Sequence, residues 1–151
     1  MIRYVSLLLV GLLGLVAVRP ASGQIIVTKN ANTGETIYMS ETLRRAEHKI
    51  MIRAIGRIGD ERREWALTFR STDAQSAVTV TADGTPIEPQ RVSTDSETPG
   101  GMTTIFLSGE AFYNIAQASE VGLQIGDRAF TLPNQVKDDM QRILNRSAGD
   151  A

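Results

Sequence analysis

Residues 108–144 read SGEAFYNIAQASEVGLQIGDRAFTLPNQVKDDMQRIL, and both periods from which the fold is built occur in this one stretch. Phe112, Ile115 and Ala116, with Ala111 and Ala118 beside them, make the apolar stripe of a helix. Ser108 can cap that helix, and Glu110 sits in its first turn, where the helix dipole favours negative charge. Val121, Leu123 and Ile125 then alternate as a strand, Gly126-Asp127 turns the chain, and Phe130 and Leu132 return. Pro133 stops the return strand, and Val136, Met140, Ile143 and Leu144 recur at helical spacing over Asn134 to Arg146. Asp138-Asp139 reads as the solvated face of this last helix. The unit is a helix, a hairpin and a helix that cover a sheet.

The sheet itself lies upstream. Two short strands, Ile25-Ile26-Val27 and Ile37-Tyr38-Met39, flank a loop with turn signals at Asn30, Asn32 and Gly34. From His48 to Ile58 the β-branched content and a period of two predict a strand, while residues 41–47 are open to a helical turn or a strand continuation. Trp65, Leu67 and Phe69 alternate with polar or small residues, and Asp60 to Arg63 joins the two strands into a hairpin. Pairing Gly59 with Glu64 sets Ile58 against Trp65, Gly56 against Leu67 and Ala54 against Phe69, so that large residues meet small ones; Trp65 is expected to be the best-buried aromatic. On the opposite face this register sets Arg53 against Arg70, with Lys49 and Arg57 in the same row. Like charges placed opposite one another are unfavourable. Either the long side chains splay into water or find acids elsewhere, or the face receives an anion or an acidic partner, which guanidinium groups suit.

Val78 and Val80 mark a further strand turning at Asp83-Gly84, and Ile87 and Val92 suggest a return strand weakened by Pro86 and Pro89 and therefore at an edge. Thr94 to Gly101 is a polar loop, and Thr103, Ile105 and Leu107 make the next strand. With about seven or eight strands, two helices and short links, the class is α+β, an antiparallel meander sheet with two helices, the last C-terminal. The alternative is a β-sandwich or half-barrel closed by the C-terminal helix.

The first 23 of the 151 residues carry the pattern of an export signal: Arg3, an apolar run from Val5 to Val18, and small residues at Ala21-Ser22-Gly23. The mature domain is expected to begin at Gln24 and to run to residue 151 with a frayed tail. Removing residues 1–23 takes away Arg3 and Arg19 and no acid, which leaves 14 basic residues against 17 acidic ones, a net charge of −3. That balance argues against nucleic acid as a partner. The chain has no cysteine, which excludes a disulfide framework, a thiolate metal site, a catalytic thiol and a lipidated N-terminal cysteine. An exported domain without disulfides, held by its apolar core alone, fits the bacterial periplasm or exterior better than a small eukaryotic secreted module.

The pattern Trp65-x-Leu67-x-Phe69, then Val78-x-Val80-x-x-Asp83-Gly84, then Phe112 to Leu132 with a short helix behind it, resembles small exported bacterial domains without an assigned activity. The resemblance spans Glu64 to Leu144 and implies a secreted α+β domain; it carries no catalytic residues.

The residues offer little for catalysis. His48 is the one histidine, flanked by Glu47 and Lys49, and no serine stands in a nucleophile-elbow pattern. Asp83, Asp95, Glu97 and Asp127 lie in or near turns without calcium-loop spacing, and Gly56-Arg57-Ile58-Gly59 is not a phosphate loop. No cofactor and no metal is expected. The leading reading is therefore an exported, non-enzymatic interaction domain of the bacterial envelope that contacts an envelope protein or acidic ligand through Lys49, Arg53, Arg57 and Arg70. The alternatives are a small hydrolase or binder of an anionic small ligand, with the Thr94 to Gly101 loop as its lid, and a structural envelope component.

Overall fold

The computed structural model describes residues 23–45, 50–71, 77–98 and 101–149. Most of the export pattern, together with His48 and Lys49, falls outside them. The class is α+β, with antiparallel strands throughout and two helices, the second C-terminal. The described strands form two sheets, neither of them closed.

The larger sheet runs in the order β1 (Ile25–Lys29), β2 (Thr36–Ser40), β4 (Ile50–Ile58), β5 (Arg63–Ser71), β9 (Met102–Leu107) and β8 (Arg91–Asp95). Strand β3 (Leu43–Arg45) pairs with the start of β4, and β2 with its end, so within residues 41–47, open between a helical turn and a strand, 43–45 are strand, while 46 and 47 lie outside the described residues. Between Met39↔Ile55 and Leu43↔Ile52 the β2–β3 side holds one residue more than β4, which makes a bulge. Ser40, 1% exposed, repairs the broken ladder: its hydroxyl accepts from the Ala54 amide at 2.9 Å and donates to the Glu41 carbonyl at 3.2 Å.

The smaller sheet runs β11 (Arg128–Thr131), β10 (Val121–Ile125), β6 (Val78–Ala82) and β7 (Thr85–Ile87). The single proline-weakened return strand expected between Ile87 and Val92 is in fact two edge strands. Thr85–Ile87 closes the small sheet, and Arg91–Asp95 crosses over to edge the large one. Pro86 sits in an edge strand, which is hydrogen-bonded on one side only, and Pro89 lies in the link between the two strands. Asp83, at φ 47°, ties the β6–β7 turn to the approach to β10: its carboxylate accepts from the amides of Ser119 and Glu120 at 3.2 and 2.9 Å.

Helix α1 (Gly109–Gln117) starts as its sequence dictates, with the Ser108 hydroxyl accepting from the Ala111 amide at 3.0 Å. Its other end is finished by α2 (Asn134–Ala148). Lys137, 7% exposed, donates from Nζ to the carbonyls of Ala118 and Ser119 at 2.9 Å each, and Gln141 donates to that of Ala116 at 2.8 Å. A cation at a helix C-terminus satisfies orphan carbonyls and complements the dipole together. Both helices sit on one face of the large sheet, where Phe112, Ile115, Val136, Met140 and Ile143 join Ile52, Leu67, Phe69, Ile105, Val121 and Leu123 in a single core.

Three expectations need correction. The β4–β5 register is Ile58↔Arg63, Gly56↔Trp65, Ala54↔Leu67 and Ile52↔Phe69, two residues from the expected pairing, with the turn closed by Gly59 N–H to Arg62 carbonyl at 2.8 Å. A two-residue shift keeps every side chain on its face, and it gives the glycine to the largest residue: a Cβ at position 56 would lie 3.0 Å from the Trp65 ring and 2.8 Å from Ile143. Trp65 packs on Phe112 with ring centroids 5.1 Å apart, yet Phe112 at 0% and Phe69 at 2% are better buried than Trp65 at 6%. Asp139 is not on a solvated face; it is 2% exposed, whereas Asp138 beside it is exposed.

Candidate interaction surface

Alternation along β4 and β5 sends Ile52, Ala54, Gly56, Ile58, Trp65, Leu67 and Phe69 under the helices and leaves the other set on a face that neither helix covers. The strand registers arrange this outer face in rows. One row crosses all six strands as Ile26, Met39, Ile55, Ala66, Phe106 and Arg91 and is apolar for five of its six positions. On one side of it Ile37, Arg57 and Glu64 follow; on the other come Arg53, Thr68, Thr104 and Ser93, and then Met51, Arg70, Met102 and Asp95.

The expected basic residues Arg53, Arg57 and Arg70 do share this face, while Lys49 lies outside the described residues. Their pairing differs from the expectation. Arg53 is opposite Thr68, Arg57 opposite Glu64 and Arg70 opposite Met51, so no two arginines oppose each other. The shifted register replaces a like-charge pair with an opposite-charge one.

Electrostatically the arginines fall into two groups. Glu64, whose side chain is 13% exposed, takes Arg62 at 2.5 Å, Arg91 at 3.5 Å and Arg57 at 3.6 Å, and Arg91 also lies 3.8 Å over the Phe106 ring. Three cations thus share one carboxylate. Arg53 and Arg70 have no acid among the described residues. Arg53 donates from Nε and Nη2 to the Thr42 hydroxyl at 3.1 and 2.6 Å, and Arg70 Nε is buried without any hydrogen-bond partner. A buried guanidinium donor left without an acceptor costs on the order of 1–3 kcal/mol or more.

These two arginines edge a depression of 310 Å³ lined by Thr42, Met51, Ile52, Arg53, Thr68, Arg70 and Met102. The lining has two guanidinium groups, two hydroxyls and two thioethers, and no carboxylate. Thr68 and Thr104 hydroxyls meet at 3.2 Å on its flank. Asp95, the nearest acid in the row, is engaged elsewhere: it accepts from the Thr98 hydroxyl at 2.7 Å and the Glu97 amide at 2.9 Å, and these bonds hold its pKa below the ordinary carboxylate value. The depression can seat a carboxylate or similar anion between two planar donors, with methionine to pack an apolar neighbour.

Thr42, Met51, Met102, Phe106 and Glu64 were not singled out from sequence. Glu64 could have been, since the period of two places it on the face of Arg70; Thr42, Met102 and Phe106 arrive there through the bulge and the β5–β9 pairing. Of the expected Thr94 to Gly101 loop, Thr94 and Asp95 form the end of β8, the Asp95 carboxylate fastens the start of the turn at Glu97 and Thr98, and residues 99 and 100 lie outside the described residues. Among the described residues no three potential metal-binding side chains cluster, and no helix is long and apolar enough to cross a membrane. Compared with models of known protein families, with curated proteins and with solved structures, the chain matches none.

Proposed function

We propose that the chain is an exported bacterial binding domain, not a catalyst, whose outer sheet face receives an acidic segment of another envelope protein. The observation that carries the reading is Arg70: a guanidinium on the open face of the sheet, its Nε buried and unpartnered, sharing a carboxylate-free depression with Arg53. An acidic side chain of the partner would pair with the Arg53 and Arg70 guanidinium groups where they line the depression, and an apolar residue next to it would cover Met51, Met102 or the row from Ile26 to Phe106. Methionines and flat sheet surface adapt to a partner at little cost. Export rests on the pattern of residues 1–23.

The test is a photocrosslinking residue placed at Ile55, on the outer face, with Tyr113, 53% exposed on α1, as the comparison site, in a bacterium that exports the chain. Crosslinks from position 55 should map to an acidic segment of one envelope protein and vanish in the R53E/R70E variant. A partner captured equally from position 113, or one joined through a basic segment, would overturn the reading.

A further inference from the structure

Asp139 is a carboxylate in the wrong place for a helix surface. It is 2% exposed on the side of α2 that faces β1 and β2, and burial raises its pKa above the ordinary carboxylate value even with Arg142 beside it at 3.1 Å. Exposed Asp138 and Glu41 add negative charge around it, so three acids face one guanidinium.

What lies against Asp139 is the junction at which the export pattern ends. Gly23 is buried, and a Cβ built on it would sit 3.3 Å from Asp139 Oδ2 and 3.1 Å from Gln135 Nε2. Arg142 donates from Nη1 to the Gly23 carbonyl, across 119 residues of chain. Strand β1 begins two residues later, with Ile25 paired to Ser40, so the backbone here is already fixed in place.

We propose that Asp139 is the binding site for the chain's own processed N-terminus: hydrolysis of the Gly23–Gln24 peptide bond frees an α-ammonium group at Gln24 that pairs with the Asp139 carboxylate and fastens β1 to α2. Water adds across that bond, its hydroxyl going to the Gly23 carboxylate that departs with the leader and its hydrogen to the new amine. The Gln24 nitrogen is bonded to the Gly23 carbonyl carbon, about 1.3 Å away in the uncut chain, and Gly23 lies against Asp139, so the new charge appears next to the residue that packs on that carboxylate. Arg142 keeps Oδ1, and the ammonium takes the side that Gly23 leaves. Asp139 thereby gains a second cation at the moment that Gly23 stops shielding it from water. The inference rests on the export reading and is independent of the outer-face surface.

Two experiments separate the inference from that reading. Mass spectrometry of the N-terminal peptide of protein released from the periplasm should place Gln24, free or cyclised, at the start; a different first residue, or a chain retained with its leader, would overturn processing at this bond. Docking is read on purified protein made by removing a tag, in the Q24A background so that the terminal glutamine cannot cyclise, and comparing a free with an acetylated N-terminus. The free amine should melt about 3–5 °C higher near pH 6, and D139N should erase the difference. Equal melting of the two forms, or a difference that survives D139N, would overturn docking. Should D139N fail to fold, the amine's own titration decides. Paired with Asp139, its pKa stands above the ordinary 7.7–8.0 or so, and the extra stability persists below that range and is lost as pH rises through the higher, folded value. An ordinary pKa for the amine would equally overturn docking.

Discussion

The two faces of the β4–β5 hairpin are built from alternate residues of the same strands and have opposite fates. On the inner face Ile52, Ala54, Leu67 and Phe69 are each at most 2% exposed and Gly56 admits Ile143 and the Trp65 ring. On the outer face Met51, Ile55 and Met102 are only half-buried, and arginines outnumber the acids that could neutralise them. The inner face is satisfied within the molecule: apolar area is covered and the bulge between β2 and β3 is mended by Ser40. On the outer face a buried guanidinium Nε is left without an acceptor. Folding accounts for the named residues of the first face but leaves Arg70 of the second without an acceptor, and this contrast singles out the outer face as the place to look for binding.

Substitutions should separate the faces by size of effect. Phe69→Ala removes a ring from the centre of the shared core and should cost about 3–5 kcal/mol in chemical denaturation; a cost under about 1 kcal/mol would mean the core is not closed there. Gly56→Ala forces a methyl group to within 3.0 Å of both Ile143 and Trp65 and should cost about 1–3 kcal/mol through overpacking. Ser40→Ala leaves the Ala54 amide without its hydroxyl acceptor at the bulge, a loss of about 1–2 kcal/mol with hydrogen exchange at Ala54 accelerated. On the outer face the sign of the comparison changes. Arg53→Glu gives up two hydrogen bonds to the Thr42 hydroxyl and should cost about 1 kcal/mol, whereas Arg70→Glu removes a buried donor that has no acceptor and should cost nothing or stabilise. A large loss from either would show that these arginines hold the fold and would remove the ground for assigning them to a partner.

The same contrast explains what could be read in advance. The inner face was legible because burial imposes periodicity: Trp65-x-Leu67-x-Phe69 and the stripe Phe112, Ile115, Ala116 announce themselves. The hairpin register was not, since a two-residue slide preserves both faces and only the fit of Gly56 to Trp65 and of Arg57 to Glu64 distinguishes the two. Placement of Arg53, Arg57 and Arg70 on one surface survived that slide for the same reason. The depression between Arg53 and Arg70 was illegible, because Thr42 reaches it through a bulge and Met102 through a strand some 30 residues downstream of Arg70. Asp139 defeated the pattern in another way. Beside Asp138 it looks like ordinary helix surface, and only the return of the chain's first strand over α2 buries it.

The central claim, that the outer face binds carboxylates through Arg53 and Arg70, is tested most directly by an NMR titration of the isotope-labelled domain with a short peptide alternating glutamate and leucine. The account predicts shifts at the amides of Met51, Arg53, Thr68, Arg70 and Met102, including the Arg70 Nε–H signal, that weaken with salt and are absent in R53E/R70E. A peptide that leaves the Arg70 Nε–H signal unmoved, or that binds the double variant as well as the natural chain, would contradict it.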